Sequence, residues 1–195
     1  MNNIKYRFLN CILALLISMF FACAHPSHMI QGSGVARAND MSEYLIMKNS
    51  RIDRNLANEI ALIYLEEARA ENINQDVAFA QMCIETGFLS YGGTAGAEQF
   101  NFCGLGVFNS QTKGESFSDM RLGVRAHIQH LKAYASTSQP VNEIVDPRFK
   151  YVKRGSAIYV FQLTGKWATD PAYGTKVDRV TAELREYSRQ NRINR

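Results

Sequence analysis

The chain shows five apolar stretches of helical character, separated by turn residues. Leu56, Ile60, Ile63 and Tyr64 share one face, with Glu66, Glu67 and Arg69 opposite, which predicts a helix from an Asp53 cap to about Glu71. Asn74 can cap a second helix, with Asp76 favourable in its first turn and Val77, Ala80, Met82 and Ile84 as its apolar positions. Thr86-Gly87 ends it, with glycine at the position that favours a left-handed residue. Ser118 or Asp119 opens a strongly amphipathic helix to about Ala135, on Leu122, Val124, Ile128, Leu131 and Tyr134. A short apolar helix is expected from Ser156 to Thr164, stopped by Gly165. A last helix is expected from Tyr173 to Arg192, on Val177, Val180, Leu184 and Tyr187. Between Phe88 and Ser118 no long periodic run survives, and glycines recur at 92, 93, 96, 104, 106 and 114. The pattern therefore predicts a mainly α domain with one small loop-rich or β-hairpin lobe between its second and third helices.

The first residues follow a different rule. Lys5 and Arg7 precede an almost continuously apolar run from Cys11 to Ala24, the pattern of a secretory signal and too short for a spanning helix, which needs about 20 residues. Phe20-Phe21-Ala22-Cys23 resembles a relaxed lipobox, with Phe20 where leucine is usual; Cys23 would then be the lipidated first residue. Ordinary cleavage after the small-x-small site Ala22-Cys23-Ala24 is the alternative. Either route exports the body to the periplasm or cell envelope, the first with a lipid anchor in a membrane. Pro26, Ser27, Gly32, Ser33 and Gly34 then suggest a flexible tether over 25–43, leaving 44–195 as the domain.

Composition adds exclusions. With 195 residues the body is long enough to bury a core without covalent staples. Net charge is +4, and removing Lys5 and Arg7 leaves about +2, too little to argue for nucleic acid. A mildly basic face would suit an anionic cell wall, and an ordinary solvated surface explains it equally well. His127 and His130 stand i, i+3 with no third ligand in the pattern, so neither a metal nor a cofactor is expected. Cys83 and Cys103 are the only cysteines of the body, and a Cys83–Cys103 disulfide or two buried free thiols are both open.

One residue carries candidate chemistry by position. Glu85 ends the second helix, where the negative end of the helix dipole raises a carboxyl pKa. Apolar neighbours such as Phe88, Phe102 and Phe108 would raise it further. An acid kept protonated near neutral pH can donate to a leaving glycosidic oxygen. Cys83, two residues earlier, points about 200° round the helix and toward the core.

The surrounding motifs carry a resemblance. Ala80-Gln81-Met82-Cys83-Ile84-Glu85-Thr86-Gly87 resembles the Glu-Ser/Thr-Gly motif of lysozyme-like hydrolases. Asn101-Phe102-Cys103-Gly104-Leu105-Gly106 is similar to the Asn-Leu-Phe-Gly-Ile segment of family 73 endo-β-N-acetylglucosaminidases. Gly123-Val124-Arg125-Ala126-His127-Ile128-Gln129-His130-Leu131-Lys132-Ala133-Tyr134 resembles a helix of one branch of these enzymes. Asp146-Pro147-Arg148-Phe149 and Trp167-Ala168-Thr169-Asp170-Pro171-Ala172-Tyr173-Gly174 follow in the same order. The likeness spans about Asn74 to Tyr187 and implies a lysozyme-like helical fold. It implies cleavage of the β-1,4 bond after N-acetylglucosamine in peptidoglycan glycan strands by a monomer. Glu85 matches the general acid, and Tyr173 a tyrosine that helps hold the sugar. Asn101 and Phe102 match the segment beneath the cleft. A second carboxylate would come from the lobe, with Glu115 and Asp119 as candidates, or the substrate's N-acetyl group would serve instead. Trp167 and Phe149 read as core aromatics. A lytic transglycosylase and a non-catalytic wall-binding lipoprotein are the competing readings.

Overall fold

A computed structural model describes residues 28–91, 96–107 and 113–193. The proposed lipidation site Cys23 and the aromatic Phe108 lie outside these residues. Among the described residues five helices form the frame: α1 Ala38–Lys48, α2 Arg54–Glu71, α3 Gln75–Glu85, α4 Met120–Ala135 and α5 Tyr173–Ile193. Single 3₁₀ turns stand at Ala97–Gln99, Phe149–Tyr151 and Val160–Leu163. The domain is thus mainly helical with one irregular lobe, as the apolar pattern predicts.

Local signals start and stop the helices. The Asp53 carboxylate accepts Leu56 N–H at 2.9 Å to open α2, and Asn72, left-handed at φ 55°, closes it. Asn74 Oδ1 accepts Asp76 N–H at 3.1 Å to open α3, and Asp119 Oδ1 accepts Leu122 N–H at 2.9 Å to open α4. Asp170 opens α5: its carboxylate accepts Ala172 N–H at 2.9 Å and its carbonyl accepts Tyr173 N–H at 3.0 Å.

Helix α3 is the centre. Every residue from Gln75 to Cys83 is buried, because α2, α4 and α5 pack around it. A helix covered on all sides has no solvent stripe, which explains its weak amphipathic pattern and its two small alanines, Ala78 and Ala80. Ion pairs at two buried carboxylates tie α2 to α4. Glu67 receives Arg125 at 2.9 and 3.0 Å and Arg121 at 3.0 Å. Burial alone would raise the Glu67 pKa, but the two guanidinium groups prevail and hold it below the ordinary carboxylate range. Farther along, Lys132 Nζ donates to Glu71 at 2.5 Å, and Val141 and Asn142 N–H donate to the same carboxylate.

Two expectations need correction. Residues 28–43 are not a tether over their described part. Ile30 is fully buried, and its N–H donates to Ile158 C=O at 2.9 Å while its C=O accepts Asn74 N–H at 2.8 Å. Val35 and Ala36 N–H donate to the Asp76 carboxylate at 2.8 and 3.0 Å, and α1 buries Met41, Tyr44 and Leu45 against α2 and α5. The domain therefore begins well before Tyr44. The Gly/Ser-rich composition signals exposed coil only where the backbone lacks partners, and here the fold supplies them. Second, Ser156–Thr164 holds only the turn Val160–Leu163, because Ile158 and Tyr159 N–H are taken by Gln162 Oε1 and residues 28–30 pair with 158–160 instead. Of the two states left open for Cys83 and Cys103, the structure has the free thiols. Cys83 packs in the main core, whereas Cys103 sits in a separate cluster with Leu105 and Ala126. Burial pushes both thiols up, which leaves them unreactive. No hairpin strand occurs among the described residues of the lobe.

Candidate active site

Helix α3 ends on Glu85, and the turn after it is unusually constrained. Gly87, Phe88 and Leu89 have φ of 57°, 57° and 59°. A left-handed Phe and Leu cost about 1–2 kcal/mol each, so the surroundings must hold them. Phe88 N–H donates to Cys83 C=O at 2.7 Å, Leu89 N–H to Thr86 Oγ1 at 2.9 Å, and Asn49 Nδ2 to Phe88 C=O at 2.9 Å. The turn thus reverses the chain directly beyond Glu85 and leaves its half-buried carboxyl at a helix end rather than along a helix side.

Two donors meet on one oxygen of that carboxyl. Trp167 Nε1–H donates to Glu85 Oε1 at 3.1 Å, and the Tyr173 hydroxyl donates to the same Oε1 through a short contact. Oε2 is turned toward Gly104: a Cβ added there would lie 3.5 Å from it. Gly104 has φ +66°, which only glycine adopts without strain, and both hydrogen bonds to the carboxyl fall on Oε1 rather than on Oε2. Burial raises the Glu85 pKa, while the hydrogen bonds from Tyr173 and Trp167 work against that rise and do not cancel it. The result is a carboxyl whose proton has one open position, Oε2.

The indole that holds Glu85 is itself held. His130, Tyr134 and His127 lie 4.9, 5.7 and 5.7 Å from the Trp167 ring. His130 Nδ1 pairs with Asp146 Oδ2 at 2.8 Å. A cavity of about 240 Å³ opens beside Trp167, lined by Gly104, Gly106, His130, Tyr134 and Arg148 among others. A larger groove of about 980 Å³ runs between α1 and α5, and none of the candidate residues lines it.

Behind Tyr173 stands a buried row of polar groups. Gln81 Nε2–H donates to the Tyr173 hydroxyl oxygen at 2.7 Å, His127 Nε2 meets Gln81 Oε1 at 3.0 Å, and the Tyr64 hydroxyl meets His127 Nδ1 at 2.8 Å. Burial pulls His127 down to about 3, with a smaller push from His130, so the ring is neutral at ordinary pH. Burial likewise keeps the Tyr64 and Tyr173 phenols protonated.

The other candidates divide. Asn101 is buried and faces no cleft: its Nδ2 donates to Leu105 C=O at 2.9 Å and Glu115 C=O at 3.0 Å, and its Oδ1 accepts Leu105 N–H at 2.9 Å. It fixes the Gly104–Leu105 turn and the Glu115 backbone together. Phe102 is a buried core anchor. Glu115 is half-buried at the lobe, with a Cβ at Gly106 falling 3.1 Å from its side chain. Asp119 is occupied as the α4 cap and also accepts the Ser118 hydroxyl at 3.1 Å. The lobe reaches α4 at Gly123, where a Cβ would lie 1.8 Å from Phe100 C=O, so only glycine permits this approach. Trp167, read from sequence as a core aromatic, is a direct partner of the acid. Gln81 was legible in principle: it is the one polar residue in the apolar run from Val77 to Ile84, one turn before Glu85.

Among the described residues no group of three His, Cys, Asp or Glu side chains is placed to hold a metal ion. The family model described as mannosyl-glycoprotein endo-beta-N-acetylglucosaminidase matches residues 61–186. An uncharacterized protein of Borreliella burgdorferi is 45% identical over 159 residues, covering 82% of this chain and 78% of that protein. The crystal structure of the catalytic domain of the autolysin Auto from Listeria monocytogenes aligns over 90% of this chain and 96% of that one, with a TM-score of 0.47 and 13% identity.

Proposed function

The chain belongs to the glucosaminidase family, and from that premise we propose that it hydrolyses the β-1,4 bond after N-acetylglucosamine in peptidoglycan glycan strands, with Glu85 as general acid. The observation that carries this reading is the asymmetry of the Glu85 carboxyl: Oε1 holds two donors, and Oε2 faces the open side at Gly104. A proton on Oε2 is delivered to the leaving oxygen as the glycosidic bond breaks. The negative charge this leaves on Glu85 is met by the Tyr173 and Trp167 donors already in position, so no reorganisation is needed at that moment. The raised pKa keeps the proton available above the ordinary glutamate value of about 4.3. Digestion of purified peptidoglycan followed by product mass analysis tests the reading. Fragments ending in reducing N-acetylglucosamine are expected. Anhydro-muramic ends would instead make the protein a lytic transglycosylase, and the absence of soluble fragments would make it a wall-binding protein.

For the second carboxylate, Glu115 is the better placed of the two candidates. Gly104, beside Glu85, and Gly106, beside Glu115, are two residues apart, so at most about 7 Å of chain separates them. Both Asp119 oxygens are engaged at the start of α4. Glu115→Gln is therefore expected to lower turnover more than Asp119→Asn, while Asp119→Ala costs about 1 kcal/mol of stability through the lost cap. If Glu115→Gln keeps full turnover, the substrate's own N-acetyl group is the better assignment for that role.

A further inference from the structure

The buried row Tyr64, His127, Gln81 and Tyr173 spans four helices and ends on Glu85. Tyr64 lies on α2, Gln81 on α3, His127 on α4 and Tyr173 at the start of α5. Tyr64, Gln81 and His127 are fully buried and Tyr173 nearly so, which makes the row costly to keep unless each donor and acceptor is matched.

Matching fixes the direction of every bond. The Gln81 amide nitrogen donates to the Tyr173 oxygen, so its carbonyl oxygen must accept from His127 Nε2. The neutral ring carries one proton, which is then on Nε2, and Nδ1 must accept from the Tyr64 hydroxyl. Tyr173, whose oxygen already accepts from Gln81, has its own proton left for Glu85 Oε1. All four bonds point the same way, toward the acid.

We infer that His127, Gln81 and Tyr64 are positioning residues for the hydrolysis proposed above: they hold the Tyr173 hydroxyl as an obligatory donor to Oε1, and so select Oε2 as the oxygen that delivers the proton. If the row loses its direction, the Gln81 amide can turn and offer its oxygen to Tyr173. Tyr173 then donates to Gln81, and Glu85 loses a bond that favours its ionised form. Two consequences follow together. The Glu85 pKa rises further, because a donor to the carboxylate has gone, and the charge formed during proton transfer is less well stabilised.

The titratable groups facing Glu85 are Tyr173 from α5, Tyr64 from α2, Cys103 from the lobe and Glu115 beyond Gly106. His130 faces His127 from the same helix and is paired to Asp146. Tyr64, Tyr173 and Cys103 are all pushed up by burial and stay neutral through the working range. None of the variants below replaces His130 or Glu115, and Tyr64→Phe leaves the His127–His130 contact in place.

The test is the pH profile of hydrolysis by the full chain, using solubilised peptidoglycan and three variants: Tyr64→Phe, His127→Leu and His127→Gln. Tyr64→Phe removes one oxygen three links from the acid. His127→Leu keeps bulk and removes both ring nitrogens. His127→Gln keeps one donor and one acceptor. The first two are expected to move the alkaline limb upward by about half to one pH unit while kcat falls several-fold and KM stays within about twofold. His127→Gln should stay near the wild-type profile. A role in packing alone would reduce the active fraction without moving the limb, and wild-type limbs in Tyr64→Phe and His127→Leu would overturn the inference. Should His127→Leu fail to fold, Tyr64→Phe decides by itself. Full activity in Glu85→Gln, measured in parallel, would instead remove the catalytic assignment on which the row depends.

Discussion

Glu85→Gln is expected to abolish wall hydrolysis and leave thermal stability unchanged or slightly higher at neutral pH. The amide keeps the shape of the carboxyl, and its oxygen can still accept from Trp167 and Tyr173. It has no acidic proton to deliver, and general acid catalysis is typically worth about 10²–10⁴-fold. The stability side follows from the direction of the pKa shift. Burial raises Glu85 in the folded state, so the stability linked to its protonation is present below the unfolded pKa and lost as pH rises through the folded one. At neutral pH the wild-type carboxylate is therefore a small liability that Gln lacks. The advantage of Gln should vanish below about pH 4, where the carboxyl is protonated in both states. A turbidity assay on purified walls and a pair of melting curves measure both parts. Activity within about threefold of wild type would end the assignment of Glu85 as the acid.

The largest expected loss of stability lies elsewhere, at Glu71→Leu. Glu71 is fully buried and accepts Lys132 Nζ at 2.5 Å, Val141 N–H at 2.9 Å and Asn142 N–H at 3.0 Å. Leucine fills similar space but strands a buried ammonium and two backbone donors. Removing one partner of a buried pair costs about 3–5 kcal/mol, mostly the penalty of the charge left behind. For a domain of this size that is a fall in melting temperature on the order of 10 °C. Glu71→Leu with Lys132→Met should recover much of the loss, because an apolar pair needs no compensation. Urea unfolding of both variants separates the cases: a loss under about 1 kcal/mol in the single variant would mean that water or a shifted Lys132 compensates the charge.

The helices with a clear apolar stripe in the sequence were those with one wet face, whereas α3 was legible from its cap and its glycine stop. α2, α4 and α5 present apolar residues every three or four positions because each covers the core on one side only. Asp53, Asn74 and Asp119, the caps of α2, α3 and α4, were legible for a local reason too: a cap is made within three residues of chain. α1 was missed although Met41, Tyr44 and Leu45 stand at helical spacing, since the glycines and serines before it suggested coil. What orders residues 28–36 is pairing with residues 72–76 and 158–160, and no local pattern reports a partner so distant in sequence.

The candidate site divides along the same line. The sequence by itself determined that a glutamate ends the central helix, that a left-handed turn follows at Gly87, and that a glycine-rich lobe lies next in the chain, because each depends on neighbours a few residues apart. The raised pKa of Glu85 was foreseen in direction, and burial is its leading cause. Only the tertiary structure decided which oxygen of Glu85 is engaged and which is open, since Trp167 and Tyr173 arrive from more than eighty residues away. Only it assigned Asn101 to holding the lobe, engaged both Asp119 oxygens at the start of α4, and left Cys83 and Cys103 as separate thiols. The reason is physical: hydrophobic periodicity and capping act over one or two turns of chain, whereas the direction of a buried hydrogen bond depends on which donor the packing of other helices brings to it.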